Sequence, residues 1–384
     1  GAGYRLITTK LFGSGFGLEG KTMGLAAYGN PKIGRSYVEN FFPILENGIG
    51  KEESKIYKLA GQIVFYVLNF ESLNLKIFKT DIENQHIAAA AQQILEEQFI
   101  EGILKYWTQT TGLRKVAYGG GVALNISMNK KIIESGYVDD LHIYPDSGDG
   151  GLSLGAAFLG LKEFNGPFLP KKLNNAYVGL KYNDSEIREA IIKNNLIHES
   201  QLFTNQEIIE FISKKLLRNK VVAWFQDEME IGPRALGHRS ILMSPLNANN
   251  KNILNYRVKH REPFRPFGPI ITYETIPRYL KNGRYSKFML EAFDATDLAK
   301  EKIPAVVHID GTLRPQVIKC EDNELLYDLL KLFGVLTGEE ALINTSFNIA
   351  GEPIVCSPSD AIIAYLRGGI DYLVIGHYII GYNK

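Results

Sequence analysis

The chain is poor in cysteine, in tryptophan and in net charge. Of its 384 residues only Cys320 and Cys356 are cysteine, and two are tryptophan. Two cysteines cannot build a disulfide framework, and they form no metal-ligand pattern with histidine. A reduced cytoplasmic protein is the simpler reading, with a single bond between the two left open. The 43 Lys and Arg are balanced by 42 Asp and Glu. A dedicated nucleic-acid binder usually carries a clear basic excess, so no nucleic-acid partner is expected. No apolar run approaches the roughly 18 residues of a membrane span, so no membrane is expected either. The opening GAGYRLITTK has no apolar core of the kind a secretory signal carries. Neither the Walker A nor the GxGxxG pattern occurs. HxxxH is also absent, because His86, His142 and His198 stand far apart.

What remains is ordinary globular material, 45% hydrophobic and 22% charged, long enough for two or three domains. FNGPFLPKKLNN (Phe164–Asn175) reads as a linker, with Gly166, Pro167 and Pro170 close together. On both sides strands and helices alternate, which points to α/β domains. NDSEIREAIIKNN reads as a helix with Asn183, Asp184 or Ser185 as its cap. VVAWF and EEALINTSF read as buried strands, and DYLVIGHYII as a final strand. SPSDAIIAYLRGG reads as a helix started at Ser357 or Ser359 and stopped at Gly368-Gly369.

Two glycine loops follow two strands. KVAY runs into Gly119-Gly120-Gly121, with a helix expected from Val122 or Ala123. DLHIYP runs into DSGDGG (Asp146–Gly151) and a second helix. A glycine turn at a helix start exposes backbone N–H groups to a phosphate, with the helix dipole in support. One such loop alone is more often a plain tight turn. Two in succession favour a nucleotide site, where Asp149 could hold a hard divalent cation or simply cap the loop. Lys21, in the third glycine-rich stretch GLEGKTMGLAAYGNP, reads more simply as a surface lysine.

Against the neutral whole, one region is crowded with cations. Arg234, Arg239, Lys251, Arg257, Lys259, Arg261 and Arg265 fall within 32 residues, with Glu262 as the one acid among Arg234–Arg265. They are set among Gly, Pro, Phe and Leu rather than in the repeating Lys/Glu pattern of a solvated helix. Guanidinium forks match phosphate, and NTSFNIAGEP (Asn344–Pro353) adds neutral donors after another strand. An RNA groove is the competing use of Arg with aromatics, and it calls for a broader basic surface. His238 and His260, with no visible partner, read as structural.

Taken in order, EGKTMGLAAYG, YGGGVALN, SGDGGLSLGAA, EIGPRALGHRSIL, FRPFGP and LINTSFNIAGEPIVCSP resemble the O-carbamoyltransferase family of nodulation-factor and antibiotic biosynthesis. The resemblance spans nearly the whole chain. It implies part of an actin-like ATPase-type domain (1–170), related to tRNA threonylcarbamoyl-transfer proteins. A smaller α/β domain (171–384), similar to threonylcarbamoyl-adenylate synthases, is implied to follow. It implies that carbamoyl phosphate and ATP give a carbamoyl-adenylate, whose carbamoyl group passes to the hydroxyl of a small-molecule alcohol. Gly119, Gly120, Gly121, Asn125 and Asp149 then fall on the nucleotide side, with Asp149 as ligand of a divalent metal, Mg or Fe. Arg234, Arg239, Lys259, Arg265, Asn344 and Ser346 fall on the carbamoyl-phosphate side, with Arg234 and Arg239 stabilising the leaving phosphate.

Relatives of this kind carry a first lobe ahead of the equivalent of Gly17, with a further phosphate loop and metal-binding histidines. The expectation is that these 384 residues bind a phosphate-type anion yet transfer poorly alone, and that an apolar lobe face promotes homo-oligomers. A tRNA-modification or maturation protein using carbamoyl-adenylate is the alternative enzyme, and a non-catalytic binding module the alternative from another class.

Overall fold

A computed structural model describes residues 1–13, 17–42, 45–46, 49–50, 81–166 and 173–382. Residues 167–172 of the expected linker lie outside that set. The chain forms two compact units, Gly1–Ser147 and Gly148–Lys384. The sequence reading put the boundary at 170/171.

In the first unit the helices α1 (Ala2–Phe12), α2 (Glu19–Ala26) and α3 (Pro31–Val38) gather on α4 (Asn84–Glu97). The run of alanines in α4 explains this: Ala88, Ala90 and Ala91 are fully buried and let neighbouring backbones come close. Helical structure continues from α4 through Gln98–Leu104 and Lys105–Thr111, and stops at Gly112 in the left-handed conformation, as the pattern predicted. Strands β1 (Lys115–Tyr118) and β2 (Asp140–Ile143) pair in parallel. The helix between them, α5, spans Ile126–Glu134 and starts later than expected. Gly121–Leu124 forms a 3₁₀ turn first, and the Asn125 side chain then caps the helix by accepting from the Met128 N–H.

The second unit opens with α6 (Leu152–Asn165) and is organised by an eight-stranded mixed sheet. In chain order come α7 (Asp184–Lys193), β3 (Ser200–Leu202), α8 (Asn205–Leu217), β4 (Val222–Phe225), β5 (Arg239–Met243) and β6 (Gly268–Thr272). Then follow β7 (Gln316–Ile318), α9 (Glu324–Thr337), β8 (Ala341–Ser346), α10 (Pro358–Arg367), β9 (Tyr372–Ile375) and β10 (Tyr378–Ile380). The spatial order is β7-β6-β8-β5-β4-β9-β10-β3. The α/β class is thus as expected. The expected final strand is in fact two, because Gly376-His377 turns the chain and β10 returns antiparallel to β9.

Both faces of this sheet are covered, which is why its central strands read as continuous apolar runs. Val222, Trp224, Leu242 and Leu342 project to one face and pack with Ile208 and Ile212 of α8 and Leu329 and Phe333 of α9. Ala223, Phe225, Ile241 and Ile343 project to the other and pack with Ile187 and Ile191 of α7 and Ile362 of α10. Each such fully buried Val, Leu, Ile or Phe side chain contributes about 1.5–3 kcal/mol. Capping boxes at Asn183/Glu186, Thr204/Glu207 and Ser357/Asp360 fix where α7, α8 and α10 begin. The antiparallel pairing of β8 with β5 and β6 sets Asn344 opposite both Leu242 and Gly268.

Candidate functional site

The loop joining β4 to β5 carries GPRALGH, and a buried acid orders it. Oε1 of Glu230 accepts from the backbone N–H groups of Leu236 (2.6 Å), Arg239 (3.2 Å) and His238 (3.4 Å). Three main-chain donors on one carboxylate oxygen fix the path of the loop. Gly237 has φ 104°, and a β-carbon there would come 2.6 Å from Leu326, so only glycine fits. His238 is buried, donates from Nδ1 to the Glu228 carbonyl (2.6 Å) and stacks on Tyr177 with ring centroids 3.7 Å apart. Burial pushes its imidazole below the usual range, so it stays neutral. It is structural, as expected. His260, with φ 41°, is an exposed turn residue.

Arg239 begins β5 and is fully buried. Its Nη1 donates to the carbonyls of Gln226 and His238, and its Nη2 to those of Leu180 and Asp227. The guanidinium lies 3.6 Å over the Phe225 ring, its cross-strand neighbour. Strand alternation places Arg239 on the opposite face of the sheet from its neighbour Ser240, which pairs with Ser346. The structure therefore does not bring Arg239 to the other predicted cations. It ties four main-chain carbonyls together instead.

Of the remaining cations, Arg257 pairs with Asp371 at the surface, and the others assemble. Burial, and then the charge of Arg265, lowers the Arg234 guanidinium to about 10 and that of Arg261 to about 9. Burial lowers Arg265 as well. Lys259 falls well below its ordinary value through burial and then the charges of Arg261 and Arg265. Lys251 is lowered by burial and by Arg261. A further member is Arg314, just before β7, held well below its ordinary value by burial and then by Arg234, Arg261 and Arg265. Groups that depress one another in this way share one low-dielectric space. Glu262 alone among nearby carboxylates opposes the shifts of Arg261 and Arg265.

Several of these side chains are held in place by neutral groups. Arg261 donates from Nε to Asn255 Oδ1 (2.7 Å) and lies 4.4 Å over the Phe267 ring. Lys259 Nζ donates to the carbonyl and hydroxyl of Ser346 and to the carbonyl and Oδ1 of Asn348, so it pins the turn leaving β8. Asn344 is buried in β8 and donates from Nδ2 to Gln316 Oε1 (2.8 Å) and the Ala235 carbonyl (3.2 Å). Predicted Arg234, Lys259, Arg265, Asn344 and Ser346 are thus linked through shared strands and neighbouring charges. A clustered set of desolvated cations with so little acid nearby is built to receive an anion.

Sequence reasoning missed Arg314, Gln316 and Glu230. Glu230 stood in the quoted motif, but its role is visible only once the loop curls back over it. The signal for Arg314 was a cation in the apolar run GTLRPQVI, 49 residues after Arg265.

In the first unit, positions where β-carbons of Gly119, Gly120 and Gly121 would stand have no atom within 4 Å, so a phosphate could approach this backbone. The Gly120 N–H is already given to the Ser147 carbonyl (2.7 Å). Asn125 is buried and exchanges amide hydrogen bonds with Gln92. Asp149, in the second unit, is exposed on the 3₁₀ turn before α6. Among the described residues no three His, Cys, Asp or Glu side chains come together to hold a metal. Both cysteines are free. No described helix is long and apolar enough to cross a membrane.

Comparison with known proteins gives a family for both units. The model described as Carbamoyltransferase N-terminus matches residues 3–158, and that described as Carbamoyltransferase C-terminus matches residues 213–381. Nodulation protein NolO of Bradyrhizobium diazoefficiens is 31% identical over 98% of this chain and 68% of its own length. Nodulation protein NolNO of Sinorhizobium fredii is 31% identical over 98% of the chain and 54% of its own length. The 3'-hydroxymethylcephem-O-carbamoyltransferase of Amycolatopsis lactamdurans is 28% identical over 93% of the chain and 64% of its own length. The chain thus spans between about half and two thirds of the length of these relatives.

Proposed function

This chain belongs to the carbamoyltransferase family, and on that premise we propose that its cation cluster binds carbamoyl phosphate for transfer of the carbamoyl group to an alcohol. The supporting observation is that burial lowers Arg234, Arg261, Arg265 and Arg314, and that the charge of Arg265 lowers the other three further. A phosphate dianion relieves that repulsion, and its oxygens match guanidinium forks. As the carbamoyl–phosphate bond breaks, charge grows on the departing phosphate. Arg234, Arg265 and Arg314 are the groups assigned to meet it, because fixed dipoles and charges lower a barrier. Lys259 and Arg261 act at one remove, holding the Ser346–Asn348 turn and the Phe267 side chain.

ATP is the proposed second substrate, held by the open glycine backbone of Gly119–Gly121, and its bound adenylyl group would supply activation of the carbamoyl carbon. In the full reaction carbamoyl phosphate, ATP, water and an alcohol give the carbamate ester, inorganic phosphate, pyrophosphate and AMP. The acceptor is proposed to be a small-molecule hydroxyl, because one relative is named for acting on a hydroxymethylcephem. An actin-like first domain, a second domain akin to threonylcarbamoyl-adenylate synthases, and a cytoplasmic setting belong to the same proposal. The test is exchange of labelled pyrophosphate into ATP. Carbamoyl-phosphate-dependent exchange by the full-length protein supports the reading, and its absence there sinks it.

A further inference from the structure

Beside Gly268 two buried polar atoms have no partner among the described residues: Asn344 Oδ1, an acceptor, and Arg314 Nε, a donor. Asn344 is 1% exposed, so water in bulk does not serve it. Its orientation follows from backbone carbonyls, which only accept. Asn344 Nδ2 donates to the Ala235 carbonyl, and Gln316 Nε2 donates to the Leu236 carbonyl (2.6 Å). Gln316 Oε1 is then free to accept from Asn344 Nδ2. Neither amide can turn over without setting oxygen against oxygen, so Oδ1 is fixed as a bare acceptor.

The ladder also says where that acceptor lies. Asn344 is paired with Gly268, and paired residues of a ladder project to the same face. A β-carbon on Gly268 would stand 3.5 Å from Arg314 Nε. The Asn344 side chain and Arg314 Nε therefore lie on the same side of the sheet next to Gly268, whose lack of a side chain lets the Arg314 backbone come close. A pocket for phosphate alone needs donors only, so a fixed acceptor among cations calls for a ligand that also donates.

We propose that Asn344 Oδ1 and Arg314 Nε read the amide end of the ligand, the first accepting from its NH₂ group and the second donating to its carbonyl oxygen. This rests on the carbamoyl-phosphate reading of the same pocket and makes Asn344 its selectivity element, with Arg314 fixing the acyl group beside it. Acetyl phosphate has the same shape and charge, with a methyl in place of NH₂. It leaves Asn344 Oδ1 buried and unpaired, and a site of this kind rejects such an analogue.

Calorimetric titration of the 384-residue chain with carbamoyl phosphate, acetyl phosphate and inorganic phosphate tests this. The wild type is expected to prefer carbamoyl over acetyl phosphate by at least about tenfold. In Asn344→Leu, which removes the acceptor, the ratio falls to within about threefold of unity, whatever the absolute affinities. Arg314→Lys keeps the charge but removes the Nε donor to a carbonyl oxygen that both acyl phosphates carry, so it should weaken both of them relative to inorganic phosphate and leave their ratio nearly unchanged. Equal binding of the two acyl phosphates by the wild type means that a water serves Asn344 Oδ1, and overturns the inference alone. An undiminished ratio in Asn344→Leu, or acyl phosphates that bind Arg314→Lys as they bind the wild type, overturns it too. Failure of the wild type to bind any of the three overturns the pocket reading and this inference with it.

Discussion

Gly268 stands so close to Arg314 that a β-carbon at residue 268 would lie 2.4 Å from the Arg314 carbonyl oxygen. That approach brings β6 and the segment before β7 together and sets Arg314 among the cations from the β4–β5 loop and from 259–265. Gly268→Ala must push the Arg314 backbone away, at about 1–3 kcal/mol for an overpacked contact. The expected result is a lower melting temperature and a clear loss of phosphate affinity. An unchanged affinity would mean that Arg314 lies outside the pocket.

Arg234 and Arg239 share one short motif and are expected to fail in different ways. Arg234→Ala should weaken phosphate-type anions by about 1.5–3 kcal/mol, the scale of a hydrogen bond to a charged group, with modest effect on folding. Arg239→Ala takes a donor from four main-chain carbonyls, of which those of His238 and Leu180 keep the N–H groups of Gln226 and Met229, and opens a cavity under Phe225, so it should cost about 2–4 kcal/mol of stability. Urea unfolding and anion titration on both variants separate the roles. If Arg239→Ala is as stable as the wild type but binds no anion, the assignment is reversed.

Alkaline pH should act on the pocket in a definite direction. With Arg261 at about 9 and Arg234 at about 10, the ligand-free fold releases these protons before the unfolded chain does. Between about pH 9 and 12 the unfolded state binds more protons, so these groups make the ligand-free fold more stable as pH rises; below about 9 their penalty is constant. A bound dianion needs the charged forms. The rise in melting temperature given by phosphate should therefore be full near pH 7.5 and shrink as pH passes about 9 to 10. Melting with and without phosphate at each pH reads the difference directly. An increment as large at about pH 10.5 as at 7.5 contradicts the cluster.

Asp149 should not matter to the pocket. Asp149→Asn is expected to impair metal-dependent nucleotide binding by the full-length protein while carbamoyl-phosphate binding stays nearly intact. Equal loss at both would show a turn residue whose removal disturbs the fold.

Features set by near neighbours in the chain were legible in the sequence. The Asn183 and Ser357 caps, the Gly112 stop and the α/β alternation all follow from residues a few positions apart. The cation crowd at 234–265 was legible as well, because its members are close in sequence. What could not be read depends on register. Arg239 looks equivalent to Arg234 until the pairing of β5 with β8 turns it to the other face of the sheet. Arg314 and Gln316 join the pocket only because β7 lies parallel beside β6. The single strand read into DYLVIGHYII failed because both halves are equally apolar, and Gly376-His377 is a weak turn signal. The delayed start of α5 reflects Asn125, a cap hidden inside what read as continuous helix.

Titration of the chain with carbamoyl phosphate, in the wild type and in Arg234→Ala, Arg314→Ala and Arg257→Ala, is the sharpest single measurement. Arg257 is exposed and paired with Asp371, so it controls for loss of one charge at the surface. One saturable site in the wild type, weakened by about tenfold or more in the first two variants and unchanged in the third, is the predicted result. No saturable binding, or equal weakening in all three variants, would show that these cations are not a carbamoyl-phosphate pocket.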